Sequence, residues 1–128
     1  MKTEQWLEDP EEHDYPAAED YLSLLVDPES AAQMAAAFRD APKARRKAKD
    51  LLRASGLALL PRDNEHVAAD LAKVKAGQGL SPVLLVRGDL RRRLPLTVAD
   101  GYHRICASHH LDENADVPCR IVGLPDTP

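Results

Sequence analysis

A strand that runs directly into a helix, at residues 96–111, is the feature that most restricts how this chain can fold. Leu96, Val98 and Ala99 form a short apolar segment, and residues 107–111 continue the helix that follows. Gly101 stands at the junction, where the missing Cβ lets the backbone come close to a ligand. The junction predicts a strand–helix unit of a protein in which helices cover a β-sheet.

The side chains at this junction are suited to binding an anion. A helix N-terminus carries unpaired N–H groups and a partial positive charge. His103 and Arg104 add donors for phosphate oxygens, and arginine can bind them with two parallel hydrogen bonds. The pattern predicts a phosphate or nucleotide site. The alternative is ordinary turn chemistry, in which Asp100 and Gly101 shape the turn and Arg104 pairs with a surface carboxylate.

Size and composition exclude several classes of protein. The 128 residues suffice for one domain, and the net charge of −4 argues against a protein that coats nucleic acid through bulk electrostatics. No apolar run is long enough to span a bilayer, and the acidic, polar first residues are unlike a secretory signal. Cys106 and Cys119 make no disulfide framework, so we expect a cytoplasmic protein.

The N-terminal part, residues 1–56, is predicted to be a helical extension. Residues 1–15 are rich in acidic side chains and are interpreted as a flexible lead-in. Pro16 suits the first position of a helix that reaches residue 25. Asp27 is the expected cap of a second helix, which Pro28 begins and which continues through Phe38.

A third helix is predicted over 43–54, ended by Ser55 and Gly56. It carries six basic residues: Lys43, Arg45, Arg46, Lys47, Lys49 and Arg53. We interpret them as a solvated helix face. Contact with nucleic acid or with an acidic partner is the alternative.

The C-terminal part, residues 57–128, is predicted to alternate strands and helices. Residues 83–86 are continuously apolar, as in a strand buried on both faces. A helix over 65–76 is expected to be capped by Asp63 or Asn64. The full prediction is a β-α-β-β-α-β order, with strands over 57–60, 83–86, 96–99 and 117–122. The expected fold class is α+β, a small mixed sheet preceded by the helical segment.

Residues 57–122 resemble the ParB/sulfiredoxin superfamily, which includes the N-terminal domains of ParB partition proteins. The resemblance lies in the order of elements and in a motif of a glycine, two residues and an arginine that opens a helix after a strand. In this chain the motif is Gly101-Tyr102-His103-Arg104. The expected fold is therefore a small sheet with a ParB-like strand–helix core.

The resemblance implies a pocket for a nucleoside triphosphate with Mg²⁺. In such proteins the glycine–arginine turn holds phosphates, which matches Gly101, His103 and Arg104. Pro82 matches the proline before the buried strand. The preceding helix would bring His66, and less directly Lys73, to the nucleotide, while Tyr102 would shape the pocket and donate near the phosphates.

The chain also departs from the family. Sulfiredoxins have a catalytic cysteine where Tyr102 stands, so sulfiredoxin activity is not expected. We expect no DNA-binding domain after the ParB-like core. If the chain is an enzyme, we expect phosphoryl transfer or nucleotide hydrolysis, in which Arg104 neutralises charge and Asp100 orients Mg²⁺ or accepts a proton.

Two other classes of function stay open. The chain can instead be a non-catalytic regulatory module that docks a protein partner or a second copy through its N-terminal helices. It can also be a DNA-binding or nuclease-like relative, which would need the basic segment to lie beside the motif. A zinc site made of His103, Cys106, His110 and Cys119 is only weakly indicated, and no zinc is expected.

Overall fold

The computed structural model describes residues 5–125 as five α-helices and four strands. Residues 90–92 form one further turn of 3₁₀ helix. The elements, in chain order, are α1 (Asp14–Leu22), α2 (Pro28–Asp40), β1 (Ala44–Lys47), α3 (Ala48–Ser55), α4 (Glu65–Lys75), β2 (Val83–Val86), β3 (Thr97–Asp100), α5 (Tyr102–Leu111) and β4 (Asp116–Val122). No helix within residues 5–125 has the length and apolar character needed to cross a membrane.

The four strands form one mixed sheet in the order β1-β4-β2-β3. The two central strands, β4 and β2, run parallel, and each edge strand is antiparallel to its neighbour. All four residues of β2 are buried, as its continuous apolar sequence predicts. The predicted α+β class with a mixed sheet and a preceding helical segment is confirmed.

Helices cover both faces of this sheet, and β2 contributes alternate residues to each of two cores. Val83 and Leu85 pack with α3, α4 and α5 on one face. Leu84 and Val86 pack with α1 and α2 on the other face. This division follows from strand geometry, because successive side chains point to opposite faces.

The predicted helix over 43–54 is wrong in its first half. Residues 44–47 form β1, and Ala44 pairs with Cys119 of β4. The helix begins only at Ala48 and ends at Ser55, and Gly56 after it is left-handed, as its predicted stop role requires. Pairing with β4 outweighs the helix-forming tendency of these basic residues.

The predicted strand over 57–60 is also wrong, because these residues form an irregular connection. Two of its carbonyl groups bond to α5 instead of to a strand: Ala58 accepts from Tyr102, and Leu60 contacts His110. The sheet therefore takes its fourth strand from residues 44–47 rather than from 57–60.

Two predicted helix caps are confirmed. The Asp27 carboxylate accepts from the backbone N–H of Ser30, and the Asn64 side chain accepts from the N–H groups of His66 and Val67. The first helix differs in its bounds: it begins at Asp14, before Pro16, and ends at Leu22 rather than at residue 25.

Residues 5–13, part of the expected flexible lead-in, lie against the rest of the protein; residues 1–4 fall outside the described range. Trp6 forms a parallel bridge with Leu80. Three acidic side chains of this segment form ion pairs: Glu8 with Lys43 at 2.8 Å, Asp9 with Arg120 at 2.6 Å, and Glu12 with Arg39 at 2.9 Å. Only Arg120 among these partners is buried, so the Asp9 pair and the backbone hydrogen bonds with Leu80 hold the segment more than the two exposed pairs do.

Candidate anion site at the start of helix α5

The turn between β3 and α5 requires glycine. Gly101 has a φ of +109°, a left-handed conformation that side chains rarely adopt. A Cβ at this position would also lie 2.8 Å from Cβ of Val83 and 2.9 Å from Nη2 of Arg104. No side chain of the described residues caps the first turn of α5. The junction therefore brings an uncapped helix N-terminus close against β2.

Arg104 is the centre of a buried ion cluster. Its Nη2 donates to Oδ2 of Asp100 at 2.6 Å, while Nη1 donates to the Ser81 carbonyl at 2.9 Å. Nη1 also lies 3.4 Å from Oδ2 of Asp14, at the first residue of α1. The Arg104 side chain is only 12% exposed. One guanidinium thus joins α1, β3 and α5.

Asp14 is a member of this cluster that the sequence analysis missed. Its Oδ2 accepts a short hydrogen bond from the Ser81 hydroxyl and a second bond from the backbone N–H of Glu11. Asp14 precedes Arg104 by 90 residues. No local motif marks it, since it stands among other acidic residues of similar appearance.

The cluster forms one wall of a cavity of about 340 Å³. Five of the sequence-predicted binding or catalytic residues line this cavity: His66, Asp100, Gly101, His103 and Arg104. Lys73, which the resemblance also suggested, lines it too. Asp70 of α4, which was not predicted, also lines the cavity. The geometry therefore brings together side chains from α1, α4, β3 and α5.

Two imidazole rings lie together in the cavity. The ring centroids of His66 and His103 are 4.7 Å apart. Burial lowers the pKa of His103, and the neighbouring His66 lowers it further. A neutral imidazole has one N–H donor and a protonated imidazole has two, so both rings can donate to an anion.

The carboxylates of the cavity have the opposite tendency. Burial raises the pKa of Asp70 above its usual value, although Arg104 and Lys73 oppose this. Burial also raises the pKa of Asp100; Arg104 opposes the rise, while the Asp14 carboxylate that shares the same guanidinium adds to it. These carboxyl groups become neutral at a higher pH than an ordinary aspartate.

The charge balance determines what the cavity can bind. Its lining has four acidic residues, Glu11, Asp14, Asp70 and Asp100, and two that are basic at neutral pH, Lys73 and Arg104. With neutral imidazoles the wall is therefore acidic. A phosphate ligand needs a divalent cation, protonated histidines or both to offset this charge.

Two predicted site residues do not line this cavity. Pro82 is fully buried before β2 and borders a different cavity, beside Trp6 and Arg45. Tyr102 turns its hydroxyl away from the Arg104 cluster and donates to the Ala58 carbonyl at 2.5 Å. Its ring lines a neighbouring cleft, on the side of the turn that faces Tyr21.

The four residues of the weakly indicated zinc set have other surroundings. Cys106 and Cys119 are buried in the core, where burial raises the pKa of each thiol. Nε2 of His110 lies 2.7 Å from the Leu60 carbonyl oxygen. Across residues 5–125, no group of three or more histidine, cysteine or acidic side chains is arranged to hold a metal ion.

The basic segment is divided between two elements. Arg45, Arg46 and Lys47 belong to β1, at the opposite edge of the sheet from β3. Two strands separate that edge from the turn at Gly101. Lys49 and Arg53 instead lie on α3, which packs against α5, so only the strand part of the segment is placed away from the motif helix.

Comparisons of the chain with protein-family models, with curated proteins and with solved structures give no match.

Proposed function

We propose that this chain is a nucleotide-binding domain of the ParB/sulfiredoxin-like group, with the phosphates bound at the start of α5. The convergence of His66, Lys73, His103 and Arg104 on one cavity at an uncapped helix N-terminus carries this proposal. These residues come from two helices, so donors from two elements would contact one ligand. Phosphate oxygens are the acceptors that such a set of donors fits.

The acidic wall makes Mg²⁺ part of this proposal. Magnesium in nucleotide sites is held by one or two carboxylates and by the phosphates themselves, and it neutralises phosphate charge when bound. Asp100 and Asp70 line the cavity and would supply the carboxylates.

Phosphoryl transfer or nucleotide hydrolysis is the reaction class we propose for such a site. Catalysis of this kind depends on positioning and charge neutralisation. Arg104, fixed by Asp14 and Asp100, would stabilise the charge on the transferred group. Where Asp70 alone holds the ion, Asp100, with its raised pKa, would instead accept a proton from the attacking hydroxyl group or water.

Calorimetry tests the proposal with ATP, CTP and GTP in the presence of Mg²⁺. His103→Ala is the test variant, and His109→Ala, near the other end of the same helix, is the matched control. We expect one nucleotide to bind saturably, with affinity about 10- to 100-fold weaker in His103→Ala and unchanged in the control. Absence of binding by all three nucleotides, or equal affinity in both variants, would contradict the proposal.

The main alternative is a module that binds a second copy of this chain without catalysis. It is favoured by the exposed end of α1 and the turn after it, where Leu24 is 80% exposed and Leu25 is 56% exposed. Apolar side chains this exposed and adjacent suit a protein interface. Sedimentation of the unliganded protein tests this: a dimer that Leu24→Asp dissociates, in a chain that binds no nucleotide, would favour the module.

A further inference from the structure

A second concave surface adjoins the cavity on the other side of the Gly101 turn. This cleft has a volume of about 270 Å³ and is lined by Tyr21, Leu57, Val98 and Tyr102, among others. Asp100, Gly101 and His103 line both the cleft and the cavity. The two spaces therefore share these residues as a common wall at the start of α5.

The cleft is rich in flat aromatic surface. The rings of His66, His103 and Tyr102 form a row, with centroid distances of 4.7 Å and 5.6 Å between successive rings. The row leads from the cavity, which His66 lines, to the cleft, which Tyr102 lines. The hydrogen bond from Tyr102 to Ala58 fixes the last ring of the row.

Tyr21 belongs to a different element, since it lies in α1 near the end of that helix. It is 45% exposed although it is a large aromatic residue, and it lines the cleft together with Tyr102. The apolar side chains of Leu57 and Val98 complete this surface. A solvent-exposed aromatic residue beside an apolar cleft is suited to stacking on a planar ligand.

We propose that this cleft binds the planar base of the nucleotide, stacked on Tyr21, while the phosphates lie in the cavity beside His103 and Arg104. This inference rests on the proposed function and adds the position of the base. Every nucleobase presents a flat face, and stacking on an aromatic side chain contributes to affinity with little dependence on the base. The polar cavity and the apolar cleft match the two ends of a nucleotide.

The experiment separates the base from the phosphates. Calorimetry would compare the Mg²⁺ complexes of ATP and of inorganic tripolyphosphate, for the native chain and for Tyr21→Ala. We expect Tyr21→Ala to weaken ATP binding by about 5- to 100-fold and to leave tripolyphosphate binding unchanged. Tyr21→Phe keeps the ring and should bind ATP like the native chain. Leu90→Ala, which removes an apolar side chain that is 93% exposed and lines neither the cavity nor the cleft, is the matched control.

Each other outcome has a definite meaning. If ATP and tripolyphosphate bind equally well and Tyr21→Ala changes neither, the position of the base is wrong and the phosphate site stands. If Tyr21→Ala weakens both ligands equally, Tyr21 acts through the structure of α1, and the stacking proposal is wrong. If the native chain binds neither tripolyphosphate nor any of ATP, CTP and GTP, the proposed function fails, and the base site fails with it.

Discussion

Arg104 and Asp14 form an ion pair at 3.4 Å that joins the first residue of α1 to the first turn of α5, across 90 residues of sequence. The same guanidinium bonds Asp100 at 2.6 Å. Side chains in this cluster are 6–21% exposed. The residue proposed to bind phosphate is therefore also one that holds the N-terminal helices to the motif.

Replacing Arg104 by alanine should destabilise the fold as well as the site. It leaves two carboxylates close together in a poorly solvated position, and breaking a buried pair in this way costs about 3–5 kcal/mol. Urea unfolding would measure the loss. Arg92→Ala is the control, since that side chain is 77% exposed and lies 3.7 Å from Asp89, so we expect a change within about 0.5 kcal/mol. If Arg104→Ala unfolds at the same urea concentration as the native chain, the ion cluster does not stabilise the fold.

A set of glycine substitutions separates backbone strain from steric overlap. Gly77→Ala meets open space at a φ of +78°, so it should cost only the left-handed conformation, about 1–2 kcal/mol. Gly101→Ala meets Val83 as well, at a φ of +109°, and should cost roughly 1–3 kcal/mol more. Gly123→Ala has open space and no positive φ, so we expect little change. Thermal or urea unfolding would rank the three; equal losses for Gly77 and Gly101 would contradict the close approach to Val83.

Nucleotide affinity should increase as the pH falls from 7 to 5. The ligand is anionic, so protonation of His103 favours binding. His103 has a lowered pKa, so it gains its charge only below the usual value of 6.5; protonation of Asp70 or Asp100, whose pKa values are raised, would reduce the acidic charge but also remove a ligand for Mg²⁺. Calorimetry at several pH values would measure the slope.

The control for this pH dependence is His103→Gln, which keeps a donor but cannot become charged. We expect its affinity to change less with pH than that of the native chain. The remaining dependence would come from the other titratable or charged side chains that line the cavity: Glu11, His13, Asp14, His66, Asp70, Lys73, Asp100 and Arg104. Affinity that falls as the pH falls would contradict the sign of this prediction.

The acidic segment should contribute to stability through one of its ion pairs in particular. Arg120 is 4% exposed and its Nη2 lies 2.6 Å from Oδ1 of Asp9. Asp9→Asn would leave the buried Arg120 cation without a charged partner, so we expect the free energy of unfolding to fall by about 1–2 kcal/mol. This is less than for a fully buried pair, because Asp9 itself is 69% exposed. Glu12→Gln removes an exposed pair and should leave urea unfolding unchanged. A larger effect for Glu12→Gln than for Asp9→Asn would be the contrary result.

The local parts of this fold could be predicted from sequence, and the long-range parts could not. Asp27 and Asn64 cap helices because the hydrogen bonds involved lie within three residues, so the short-range pattern suffices. The strand at 44–47 depends on pairing with β4, more than 60 residues later, and its basic sequence favours a helix equally well. The local sequence of a segment does not show which distant strand it will pair with.

The candidate site shows the same division. The motif at Gly101 and Arg104 is contiguous and could be recognised, and the resemblance brought in His66 from the preceding helix. Asp14 and Tyr21 come from α1, which lies outside the resembling region, and only the packing of α1 brings them to the turn. The orientation of the Tyr102 hydroxyl towards Ala58 depended on an irregular connection that was predicted as a strand.

The side chains of β2 alternate between the two faces of the sheet, and this affects how the protein unfolds. Val83 and Leu85 belong to one core and Leu84 and Val86 to the other, so neither helical layer can lose its contacts without exposing the opposite face of the same strand. The N-terminal helices and the motif helix are thus thermodynamically coupled through four residues, and melting should be a single cooperative event. Fluorescence of Trp6 and far-ultraviolet circular dichroism would then report the same midpoint of thermal unfolding, with no separate transition for either helical layer.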